Sequence, residues 1–166
     1  MNNLIKEYVQ LYLQKVVSGE TYISPDSISF FKEECAKAIE KQFLPKKKNW
    51  SMRMSGLGKP LCQQQLERDE IKIEGDLEYN AVNRFLFGDL LEALLYIELK
   101  EAGVNVEAYQ KAVELDIEGI TLHGTLDIVI DGKVWDIKTA SPYAYTSKFT
   151  SYNRVKENDP FGYVVQ

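Results

Sequence analysis

The sequence predicts an α+β fold, helices first and an antiparallel sheet after them, and three observations carry that prediction. Residues 3 to 17 hold apolar side chains at helical spacing, a second helix is expected from Ser24-Pro25 to about Phe43, and residues 81 to 102 form a further, longer helical run. From residue 106 onward come three apolar stretches of strand length, the last two joined by Asp131-Gly132, a favoured two-residue hairpin turn. With 166 residues and 45% apolar content, the chain has enough apolar material for one core of ordinary size. A single domain is expected, with residues 1–50 as an N-terminal helical layer on a core formed by residues 51–166.

Each element has a local reason. Leu4, Tyr8, Leu11, Tyr12 and Val16 mark the first helix, over residues 3 to 17, and Gly19 ends it. Ser24-Pro25 supplies an N-cap and a first-turn proline for a second helix, which runs to about Phe43, before Pro45. A short helix beginning near Lys59-Pro60 is expected to take its cap from Ser55 or Gly58. The Gly58-Lys59 pair is not a phosphate loop, because the positions that need glycine and Ser/Thr hold Arg53 and Pro60. The helix over 81 to 102, closed by Gly103, is apolar almost all round and is expected to be largely buried. Strands are expected over 106–116, 120–131 and 133–140.

The net charge of −5 argues against a protein that coats nucleic acid over its whole surface. A local basic patch remains at Lys46, Lys47, Lys48 and Arg53, beside Trp50; it is either a solvated loop or a binding rim. No apolar run has the length of a membrane span, and the N-terminus lacks a signal-peptide core, so a cytoplasmic chain with no membrane partner is expected. Cys35 and Cys62 lack neighbours at metal-ligand spacing, which excludes a thiolate zinc site or a four-cysteine cluster; Cys35 reads as a small core residue.

Charge interrupts the hairpin at Asp127, Asp136 and Lys138. Side chains alternate along a strand, so Leu122, Gly124, Leu126, Ile128 and Ile130 make the apolar face, and His123, Thr125 and Asp127 the other. The two-residue turn pairs Ile130 with Lys133, which sets Asp127 opposite Asp136. Opposed carboxylates destabilise a hairpin unless a divalent cation, Lys138 or water neutralises them. Hard cations such as Mg2+ take oxygen ligands, and an ordinary polar face with an Asp–Lys pair is the competing reading. His123 reads as structural and Trp135 as core.

On the long helix, Phe85, Gly88, Tyr96 and Leu99 lie within about 40° of Glu92. A carboxylate set in such an apolar stripe costs several kcal/mol unless it is paired or metal-bound. A buried pair with Lys or Arg and a ligand to the same ion as the hairpin acids both answer that cost.

Glu92, Gly124-Thr-Leu-Asp127 and Asp136-Ile137-Lys138, in that order on helix, strand and strand, resemble the PD-(D/E)XK nuclease superfamily, its RecB-like and phage exonuclease branch above all. Gly88-Asp-Leu-Leu-Glu92 is similar to the family's upstream helix motif, and Arg53-Met-Ser55 to its Arg-x-Ser segment. The resemblance covers roughly residues 51 to 166 and implies a restriction-endonuclease-like core. Leu126 stands where the motif's name has proline. The family core continues beyond the DxK strand with a helix bearing Gln-x-x-x-Tyr; Gln166 fits that glutamine, and a fragment or reduced homologue with the C-terminal part of the core missing is expected.

The resemblance implies Mg2+- or Mn2+-dependent hydrolysis of phosphodiester bonds. Glu92, Asp127, Asp136 and the Ile137 carbonyl would hold the metal, and Lys138 would orient the attacking water. Arg53, Ser55, Lys46, Lys47, Lys48 and Gln166 would contact DNA, linear duplex or single strand. With no separate reading domain visible, an exonuclease is expected, with a second copy or a recombination protein as partner. Two other readings stay open: a nuclease-like module that binds nucleic acid without cutting it, and an α+β interaction protein with a merely solvated acidic hairpin.

Overall fold

In the computed structural model, residues 2–45, 50–69, 71 and 79–157 are described. Among them are helices α1 (Asn2–Ser18), α2 (Pro25–Phe43), α3 (Leu61–Arg68), α4 (Tyr79–Glu101), α5 (Pro142–Ala144) and α6 (Tyr152–Glu157), with strands β1 (Val106–Ile117), β2 (Ile120–Ile130) and β3 (Lys133–Trp135). The strands form one sheet in the order β1-β2-β3, and β2 pairs antiparallel with β3. The α+β class expected from the sequence is thus present.

The chain divides into two compact units, neither of them continuous in sequence. The first comprises residues 1–45, 77–111 and 126–137, so the N-terminal helices share a unit with α4 and the hairpin tip. Its core is Leu99, Ile128 and Ile130, packed against Ile5, Val9, Leu95, Tyr96, Val104, Val106, Trp135 and Ile137. Each fully buried isoleucine contributes about 1.5–3 kcal/mol. Helices α1 and α2 both pack on α4. Ser24 caps α2 by accepting the Ser27 N–H, and the hydroxyls of Ser24 and Ser27 both donate to Glu101 Oε1, which ties the end of α4 to the start of α2. Gly19 and Gly103 stand at positive φ, 75° and 78°, just past the ends of α1 and α4.

The expectation that α4 is largely buried is corrected. Ala93, Ile97 and Leu99 are buried, but Phe87 is 61% and Leu91 47% exposed. Apolar residues surround the helix, but among the described residues several of them, Phe85 and Phe87 included, stay exposed with α1 and α2 packed on α4. Cys35 is likewise only half-buried, and Cys62 is exposed.

The second unit comprises residues 46–76, 112–125 and 138–166. Arg53 forms a parallel bridge with His123, whose N–H donates to the Met52 carbonyl at 2.9 Å. Met54–Gly56 form a 3-10 turn, and α3 starts after Pro60 without a side-chain cap. Neither Ser55 nor Gly58 caps it, since Ser55 is taken up in that preceding turn. After residue 138 the chain turns helical, with α5, a π-helical turn at Tyr145–Phe149 and α6. Among the described residues no helix is long and apolar enough to cross a membrane.

Candidate functional site

The hairpin places its acids by register. Asp131 (φ 48°) and Gly132 (φ 69°) form the turn, and the ladder runs Ile130–Lys133, Val129–Val134, Ile128–Trp135. The pairing of Ile130 with Lys133 agrees with the sequence, and so does the face: Leu122, Ile128 and Ile130 are buried. The next rung would set Asp127 against Asp136, but β3 ends at Trp135 instead of near residue 140. Asp127 Oδ2 accepts the Ile137 N–H at 2.9 Å, so a side chain takes the donor that a longer ladder would have paired with backbone. Asp127 is half-buried and Asp136 exposed, with the Asp136-Ile137 peptide held to Asp127 by that bond.

Glu92 occupies the middle of α4 and is half-buried. Its Oε2 accepts a hydrogen bond from Gln110 Nε2 at 2.6 Å. Gln110 lies inside β1 at φ 46°, a left-handed conformation that costs a residue with a Cβ about 1–2 kcal/mol. Both side chains line a cleft of about 150 Å³ whose walls also carry Glu34, Lys37, Lys41, Asp89 and Tyr109. Lys37 pairs with Glu34 at 2.6 Å, and Asp89 takes Lys41 on one oxygen and the Gln42 amide, at 2.8 Å, on the other.

Tyr109 reports the field in this cleft. Burial pushes its hydroxyl pKa up, and the negative charges of Glu34, Glu92, Asp89 and Asp127 push it further. One acid from α2, two from α4 and one from β2 therefore act on the same hydroxyl, and Glu92 and Asp127 are two of them. The Tyr109 ring is fixed by Tyr96 and Phe30, with ring centroids 4.5 and 5.7 Å away.

In the second unit, Arg53 is exposed at the bridge to His123, and Ser55 is exposed in the 3-10 turn that follows. His123 Nδ1 lies 3.1 Å from Glu114 Oε1. Gly124, the glycine of the GxxD piece, has a packing reason: a Cβ there would stand 2.7 Å from Met54 Sδ and 3.2 Å from Val113 Cγ2. Lys138 is exposed and follows Ile137 directly in the chain. Lys46, Lys47, Lys48 and Gln166 lie outside the described residues.

The donors Glu92, Asp127, Asp136 and the Ile137 carbonyl are all oxygen, which fits a hard divalent cation in kind. Among the described residues, no group of three or more His, Cys, Asp or Glu side chains is placed to hold one metal ion. Sequence reasoning missed Tyr109 and Gln110. Their alternation along β1 reads as ordinary strand, and a glutamine gives no sign of positive φ as glycine or asparagine would. No family model matches the chain, and no curated protein or solved structure shows significant similarity to it.

Proposed function

We propose that this chain is a metal-dependent DNA nuclease of the PD-(D/E)XK type, acting as an exonuclease. The observation that supports this reading best is the bond from the Ile137 N–H to Asp127 Oδ2, which joins the aspartate of GxxD to the middle of DxK beside a turn of the required register.

In this reading Asp127, Asp136, Glu92 and the Ile137 carbonyl hold Mg2+ or Mn2+, which when bound supplies charge stabilisation at the scissile phosphate. Lys138 orients a water by hydrogen bonding and, as a cation, favours its deprotonated form. Arg53 and Ser55 grip a DNA phosphate, the guanidinium by paired N–H donors and the serine by its hydroxyl.

The test is nucleotide release from linear DNA by the full chain in Mg2+ or Mn2+, with chelator as control. Release that needs the metal and disappears in Lys138→Ala is the expected result. Unchanged release in that variant removes Lys138 from catalysis, and DNA retention without any cleavage identifies a binding module instead.

A further inference from the structure

We propose that residues 138–157 form a docking platform for single-stranded DNA, on which the rings of Tyr143, Tyr145 and Tyr152 stack with unpaired bases while Arg154 and Lys156 meet the phosphates. The inference names the form in which DNA is held, and it rests on the nuclease reading above.

Charge sets the class of partner. The whole chain carries −5, yet residues 138–157 hold four cations, Lys138, Lys148, Arg154 and Lys156, against a single acid, Glu157. A basic segment on an acidic chain draws a polyanion to itself. The exposed apolar groups then narrow the class. Tyr143 is 81%, Tyr152 66% and Tyr145 58% exposed, and among the described residues of this segment no leucine, isoleucine, valine or phenylalanine shares that exposure. Elsewhere the exposed apolar surface is largely aliphatic, as at Leu11, Val17 and Leu91. A face whose apolar groups are tyrosines alone offers flat rings, and every base has a flat ring to lay on them. None of the three rings contacts another aromatic ring among the described residues, so none is already spent on stacking within the chain. In a duplex the base faces are stacked on one another and only the edges are open, so such rings select a single strand.

The segment is also held together. The Arg154 guanidinium donates to the Ser147 carbonyl at 3.5 Å, the Arg154 N–H donates to Ser151 Oγ at 3.4 Å, and α5 and α6 both pack on the π-helical turn. The rings are thus carried on one packed piece of backbone, which lowers the ordering cost of binding.

The full chain is titrated in chelator, so that nothing is cut, against a fluorescein-labelled oligothymidylate of about 20 nucleotides and against a duplex of equal length, with anisotropy as the readout. The expected result is a single strand bound about 10-fold or more tighter than the duplex, with an affinity that falls as salt rises. Tyr143→Ala, Tyr145→Ala and Tyr152→Ala should each weaken that binding about 5-fold or more, and Tyr143→Phe, Tyr145→Phe and Tyr152→Phe, which keep the ring, should bind nearly as the parent does. Lys156→Gln should make the salt dependence shallower. Circular dichroism checks that each variant keeps its helices, as exposed positions allow. Alanine variants that bind like the parent, a duplex bound as tightly as the strand, or a parent chain that binds neither overturns the inference; in the last case the platform is left to a protein partner. Nucleotide release that needs metal and persists alongside any of these failures keeps the nuclease reading intact. A strand held through the tyrosines by a chain that releases no nucleotide in Mg2+ or Mn2+ upholds the platform and overturns the nuclease reading.

Discussion

Ile137 donates its backbone N–H to Asp127 Oδ2 across 2.9 Å, at the point where the β2–β3 ladder stops. The carboxylate therefore has a structural task distinct from any chemical one, and substitutions separate the two. Asp127→Asn keeps an oxygen acceptor, whereas Asp127→Ala leaves a half-buried N–H without this partner. Alanine should cost about 1–3 kcal/mol in urea unfolding and asparagine clearly less. On the proposed nuclease reading both should also abolish cleavage, since neither side chain supplies the negative charge that a carboxylate brings to a divalent cation. Equal loss of stability in the two variants would show that the bond contributes little.

Gly124 carries a second prediction. A methyl group at this position meets Met54 Sδ at 2.7 Å and Val113 Cγ2 at 3.2 Å. Methionine can shift, but the β-branched valine has few rotamers to move into. Gly124→Ala should therefore destabilise by roughly 1–3 kcal/mol, the usual range for overpacking. Adding Met54→Ala should recover part of that loss, because it removes the closer atom. A double variant no better than the sum of its single changes would show that Val113, and not Met54, sets the limit.

Much of the fold was legible wherever one residue decides a local conformation. Ser24-Pro25 announced the start of α2, Gly19 and Gly103 the ends of α1 and α4, and Asp131-Gly132 a turn that both residues complete at positive φ. The end of β3 was not legible, because it depends on a side chain ten residues upstream taking the Ile137 N–H. The candidate acids could be named from the sequence, but Gln110 and Tyr109, which line the cleft beside Glu92, were hidden. A glutamine at positive φ is a tertiary outcome, and only the fold shows that two consecutive residues of β1 line one cleft.

The uneven burial of α4 makes a third prediction, against the helical pattern that suggested burial all round. Phe87 is 61% exposed, while Ile97 is buried. Phe87→Gln should change stability by about 0.5 kcal/mol or less, as surface substitutions do. Ile97→Ala should cost about 2–5 kcal/mol through lost transfer energy and the cavity left behind. Denaturant midpoints for the two variants decide the point. A large loss for Phe87→Gln would mean that its ring is covered in solution.

Glu101 and Glu98, both near the end of α4, should pull the pH dependence of stability in opposite directions. Burial raises the Glu101 carboxyl, but the hydroxyls of Ser24 and Ser27, the Ser24 N–H and the charge of Lys100 outweigh it and hold the group below its ordinary range. The folded chain thus binds this proton more weakly than the unfolded chain does. The stability it contributes is complete above the ordinary carboxylate range and is lost as pH falls through the folded value. Glu98 has the reverse sign: burial alone raises its carboxyl, so its ionisation weakens the fold as pH rises through the ordinary range toward the raised folded value. Ser24→Ala should cost about 1 kcal/mol at neutral pH, since it removes the helix cap together with a donor to Glu101, and less at pH 3. Glu98→Gln should stabilise the chain at pH 7 and have little effect at pH 3. Urea unfolding at the two pH values checks both, and a Ser24→Ala cost that is the same at each would detach Glu101 from the cap.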